Sequence, residues 1–110
     1  MPKQPQYQEI WKETKDGQRL CALINGELGF LMYLRHKEDA GFSSRNSKYK
    51  GKPDAMLDYK LNNGQKDELP LSWAVPVKDV HAALDYFEKK KRRPPFIVWN
   101  NDSNDEEMIN

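Results

Sequence analysis

Cysteine is almost missing from this chain: Cys21 is the single thiol among 110 residues. No intramolecular disulfide can form, and a reducing compartment is expected. Histidine is scarce too, with only His36 and His81. No Cys-x-x-Cys, His-Glu-x-x-His or Gly-x-Ser-x-Gly pattern occurs, and the six glycines form no phosphate-cradling loop. These gaps argue against thiol-disulfide, metalloprotease, serine-hydrolase and nucleotide chemistry. No apolar run approaches the ~18 residues of a membrane-spanning helix. The start, Met1-Pro2-Lys3-Gln4-Pro5-Gln6, lacks the apolar centre of a signal peptide. A cytoplasmic location, with no membrane association, is the expectation. A charge excess of either sign is also lacking. Eighteen Lys and Arg stand against seventeen Asp and Glu, a net charge of +1. That is too balanced for a general nucleic-acid coat.

What the chain does have is aromatic surface. Three Trp, five Tyr and four Phe offset a hydrophobic fraction of only 37%, enough to build one core in one domain. Residues 1–6 read as a loose arm. Tyr7 to Thr14 alternates weakly and fits strand or helix. Asp16-Gly17 is a turn signal that would pair it with a strand over Arg19–Asn25. Leu20–Asn25 and Phe30–Arg35 are apolar runs around a break holding Gly26 and Gly29, which predicts a hairpin. Both runs are apolar on both faces, so they should lie centrally with material packed on each side.

From His36 to Pro53 the pattern weakens. Gly41–Ser44 suggests a short edge strand, and 47–52 a solvated loop. Met56–Leu61 alternates cleanly, with Leu57, Tyr59 and Leu61 inward. Asn63-Gly64 would turn the chain into a return strand over Asp67–Trp73, shortened or pushed to an edge by Pro70. Val77, Val80, Leu84 and Phe87 form one helical stripe, with Ala83 beside them, and predict a helix over Val77–Arg92. Pro76 opens it and Pro94-Pro95 stops it. Phe96–Trp99 reads as a final short strand. Residues 100–110 hold four acidic side chains and no basic one, and read as a disordered acidic tail. The expected fold is α+β: a mostly antiparallel sheet with one main C-terminal helix on one face, in a single domain over residues 1–99.

Candidate chemistry is thin. Cys21 sits inside an apolar run and reads as inert core. Asp67 and Glu68 are strand neighbours that point to opposite faces, so they cannot readily share a proton. Asp85 and Glu88 read as a solvated helix face. Lys89–Arg93 complements the helix dipole and could also contact phosphate. With no metal, cofactor or enzyme activity expected, binding is the favoured task. Tyr49, Tyr59 and Trp73 are aromatic candidates for it.

Several segments together resemble a known family. They are Leu23-Ile24-Asn25-Gly26, Gly29 to Arg35, Gly41-Phe42, Asn63-Gly64-Gln65, Glu68-Leu69-Pro70, Trp73 to Val77, Phe87, Arg93-Pro94-Pro95-Phe96 and Trp99. Over about residues 20–99 the chain is similar to the first-numbered family of bacterial immunity proteins. These accompany polymorphic toxins, often nucleic-acid deaminases. The resemblance implies a non-catalytic inhibitor that neutralises a cognate toxin by occluding its active site or substrate cleft; nothing in the sequence demands more than a monomer, in a 1:1 complex with that toxin. The quoted residues are scaffold. The contact surface comes instead from charge placement, with Glu38, Asp39, Asp54, Asp58, Asp67 and Glu68 as carboxylates for a basic cleft and Tyr59 and Trp73 as anchors. Direct nucleic-acid binding is not expected. The alternative is a small nucleic-acid-binding module using Lys89–Arg93 with Lys48, Tyr49, Lys50 and Lys52.

Overall fold

Two tight turns set the first half of the fold. In the computed structural model, which describes residues 5–105, β1 (Tyr7–Glu13) turns through Asp16-Gly17 into β2 (Arg19–Asn25). That strand turns at Gly26 into β3 (Leu28–Leu34). The ambiguity of the first segment resolves to strand because each of its residues from Tyr7 to Glu13 has a β2 partner. Then follow β4 (Phe42–Arg45), β5 (Met56–Lys60), β6 (Lys66–Pro70), a 3-10 turn (Leu71–Trp73), β7 (Val75–Pro76), α1 (Val77–Lys90) and β8 (Val98–Asn101). The main sheet runs β1-β2-β3-β4-β8, all antiparallel, with β7 paired to the far end of β3. β5 and β6 form a separate antiparallel hairpin.

The doubly apolar central strands behave as their pattern requires. Leu20, Ala22, Ile24, Leu31 and Tyr33 point to the helix side and meet Val80, Ala83, Leu84 and Phe87. Cys21, Leu23 and Phe30 point the other way and are capped by the β5–β6 hairpin through Tyr59, Leu57 and Leu69. Gly29 permits the close helix approach: a Cβ there would stand 2.7 Å from Val80 Cγ2 and 3.0 Å from the Leu23 carbonyl oxygen. At the other end of β3, Gly41 has φ +82° and no room for a side chain against the Tyr33 carbonyl. Tyr33 gathers Phe42, Phe87 and Trp99 around it, at ring-centre distances of 6.0 to 6.4 Å.

β3 changes neighbours along its length, from β4 at Met32 and Tyr33 to β7 at Leu28 and Gly29. At the switch its backbone would lose a partner. Ser44, fully buried, fills the gap: its Oγ accepts from the Leu31 N–H (3.0 Å) and donates to the Trp73 carbonyl (2.9 Å).

Four boundaries differ from the sequence reading. The helix ends at Lys90, because Lys91 enters the left-handed region (φ 58°) while its N–H still reaches the Phe87 carbonyl. The return strand stops at Pro70, where the missing N–H ends the ladder. The last strand starts at Val98, the residue that faces Arg45, and runs to Asn101. The acidic segment expected to be disordered from residue 100 therefore begins in the sheet. Asp102 N–H donates to the Gly41 carbonyl, and Ser103 and Asp105 bond Arg35. Residues 106–110 of that tail, and 1–4 of the arm, lie outside the described residues.

Candidate functional site

The β5–β6 hairpin is the most unusual surface of the molecule, and its register shows why. Tyr59 pairs with Asp67 and Leu57 with Leu69, which sets the hairpin's apolar side on the sheet. The opposite face carries Met56 beside Pro70, Asp58 beside Glu68, and Lys60 beside Lys66. Two like-charged pairs thus stand directly across the strands, an arrangement that costs stability. Proteins tend to retain such local conflicts where a surface has work to do. The hairpin is nonetheless held firmly. Asp58 accepts from Tyr7 Oη at 2.7 Å, and Asn25 Nδ2 donates to the Asp58 carbonyl at 2.8 Å. By accepting that hydrogen bond, Asp58 raises the Tyr7 phenol above its ordinary pKa. Near the hairpin tip, Asn62 N–H donates to Glu9 Oε1 at 2.8 Å, which helps hold the Glu9 carboxyl below its usual range.

The predicted contact residues separate into three groups. Asp54, Asp58, Asp67 and Glu68 come together on the hairpin or just before it, with Asp54, Asp67 and Glu68 exposed. Glu38 and Asp39 lie elsewhere, on the β3–β4 loop at the Arg19 end of the sheet, whereas Asp58 touches Asn25 at the opposite end. A seven-residue strand, ~20 Å, separates them. Asp39 is not a free surface anion. Its carboxylate is bound by Arg35 Nε at 2.7 Å and Nη2 at 2.8 Å, and is only 3% exposed. The guanidinium hydrogen bonds hold its pKa well below the carboxylate range.

Tyr59 requires a correction. It is 0% exposed, sealed beneath the hairpin, and cannot serve as a surface anchor. Alternation placed it inward, and inward positions of a strand capping a sheet are core. Its hydroxyl is buried without a hydrogen-bond partner. Trp73 is half-buried, stacked on Phe30 at 6.1 Å, with the Arg45 guanidinium 3.9 Å above its ring. Sequence reasoning did not single out Arg45, which lies 28 positions from Trp73 with no local pattern linking them. It also passed over Trp11, Met56, Phe96 and Val98, which among the described residues are the large hydrophobic side chains left 44% to 51% exposed. Burial is the only signal that distinguishes them from core.

The basic segments of the alternative reading are not brought together. Lys48 lines a groove with Lys78 at the start of α1, while Lys89–Arg93 lies at its end. Fourteen helical residues, ~21 Å, intervene. Lys89 pairs with Asp85, and Arg93 stacks on Phe42.

Cys21 is buried, and desolvation, aided by Glu9, pushes its thiol up to about 12. Among the described residues, no group of three or more His, Cys, Asp or Glu is placed to hold a metal ion. Nor is any helix there long and apolar enough to cross a membrane.

The fold is thus a small α+β scaffold whose central strands are covered by the helix on one side and by a firmly held, charge-striped hairpin on the other. The chain belongs to the family described as immunity protein Imm1, whose family model matches residues 3–101. Comparison with curated proteins gives no match. Membership makes a cognate toxin the partner this scaffold serves.

Proposed function

We propose that the chain neutralises a nucleic-acid deaminase toxin of a polymorphic toxin system in the bacterial cytoplasm, as a monomer in a 1:1 complex, without chemistry of its own. A deaminase acting on DNA or RNA needs a cleft that accepts a polyanion. Carboxylates seated in that cleft would take the place of phosphates and exclude the substrate. The supporting observation is the pairing of Asp58 with Glu68 on an outward hairpin face, with Asp54 just ahead and Asp67, also exposed, opposite Tyr59 on the strands' other side. Asp39 and Tyr59 support the scaffold instead, and Glu38 stands at the other end of the sheet from the hairpin acids.

The test uses the toxin module encoded beside the chain, where a His-x-Glu and Pro-Cys-x-x-Cys signature would mark the deaminase. Reversing Asp67→Lys and Glu68→Lys should weaken binding by about 100-fold at low salt and flatten its salt dependence. Unchanged affinity at low salt would remove the hairpin from the interface.

A further inference from the structure

A second surface carries the opposite chemistry. Where β4 and β7 part company along β3, a groove of about 460 Å³ opens between residues 45–48, the start of α1 and the approach to β8. Phe96 and Val98 line it, 51% and 50% exposed, two of the four large hydrophobic side chains left open to solvent among the described residues. Isolated exposed apolar residues are ordinary, but two on one concave wall mark a contact surface. Phe96 is held in place by an edge-to-face contact with Tyr86, ring centres 5.7 Å apart. Its shape is therefore set before any partner arrives, which lowers the ordering cost of binding.

The rim is cationic. Arg45, Lys48 and Lys78 border the groove with one lining acid, Asp79, and Arg45 also pairs with Asp102 at 3.9 Å, which leaves Lys48 and Lys78 as the rim's main free charges. Arg45 is fixed over Trp73 and by its hydrogen bonds to Ser43 Oγ and the Ser44 carbonyl. The groove also adjoins the hairpin: Asn46, on its wall, donates its N–H to the Ser72 carbonyl at 2.8 Å, just past the end of β6. One partner of ordinary interface size, ~800 Å² per side, can span both.

We infer that this groove grips an extended, carboxylate-bearing segment of the toxin that inserts one large apolar side chain between Phe96 and Val98. The inference rests on the toxin-binding reading above and adds the partner's chemistry at a surface distinct from the hairpin. Apolar insertion supplies the affinity; Lys48 and Lys78, beside Arg45, select an acidic segment over a basic one. Together the two surfaces require a partner with a basic cleft and, beside it, an acidic-apolar strand or loop.

Titration of the toxin module against the wild-type chain and two groove variants tests this. Lys48→Glu with Lys78→Glu reverses the rim, and Phe96→Ser with Val98→Ser empties the apolar wall. All four positions are exposed, and thermal melting checks that each variant folds. Each pair should weaken binding by about 30-fold or more. Wild-type binding with both groove variants within threefold of it would overturn the groove and leave the toxin reading standing. No wild-type binding at all would overturn both.

Discussion

At the scale of single residues, buried polar atoms offer the sharpest contrast. Ser44 Oγ serves two backbone groups that the sheet itself leaves unpaired. Ser44→Ala should therefore cost about 2–4 kcal/mol in a urea unfolding titration, since a buried donor and a buried acceptor both lose their partner. Tyr59 is the reverse case. Its hydroxyl is buried without a partner, and desolvation raises its pKa. Tyr59→Phe should leave stability unchanged or raise it by about 1 kcal/mol, and a loss of that size would mean the hydroxyl has a hidden acceptor. The Cys21 thiol, held up near 12 by burial, should react with a thiol reagent only after unfolding.

Among the elements, the β3–β4 loop and the end of β8 are joined by one guanidinium. Arg35 binds Asp39 and also reaches Asp105 at 2.9 Å and Ser103 Oγ at 2.9 Å. Its hydrogen bonds to Asp39 and Asp105 raise its own pKa. Side-chain hydrogen bonds from Asn101, Arg35 and Ser103 lower Asp105 to about 2, and those from Arg35 take Asp39 lower still. A carboxylate whose folded pKa is depressed stabilises the fold above its unfolded pKa, about 3.9 for Asp. That contribution falls away as pH drops through the folded value. The urea midpoint should thus be flat near neutrality and fall below about pH 4, and Arg35→Gln should flatten the fall. An equal acid loss in that variant would place the sensitivity elsewhere.

The elements also show where sequence was informative. The helix stripe at Val77, Val80, Leu84 and Phe87, the Asp16-Gly17 turn and the doubly apolar central strands carry local periodicity, and each appears where that periodicity put it. β7 was not legible, because two residues make no pattern and their pairing with Leu28 and Gly29 is purely tertiary. The same limit applies to surfaces. Alternation marked Tyr59 as inward, yet its aromatic ring drew it into the list of contact residues. Asp39 read as a free acid because nothing in Arg35-His36-Lys37-Glu38-Asp39 shows which carboxylate the arginine will take. The hairpin acids could be grouped from sequence, since a strand, an Asn-Gly turn and a return strand fix their register. The groove could not, because its walls come from three segments, 45–48, 75–79 and 96–98, that no local pattern links.

For the molecule as a whole, the helix covers one side of the central strands and the hairpin the other, and the contacts proposed above fall on the hairpin and the groove. An inhibitor built this way should work by occupancy alone, with no turnover. The most direct measurement tests the proposed deaminase reading: titration of the neighbouring toxin module, assayed for deamination of a single-stranded oligonucleotide, with the purified chain. Occupancy predicts that activity falls linearly and vanishes at one chain per toxin. Undiminished deamination at a saturating excess of folded chain would contradict it.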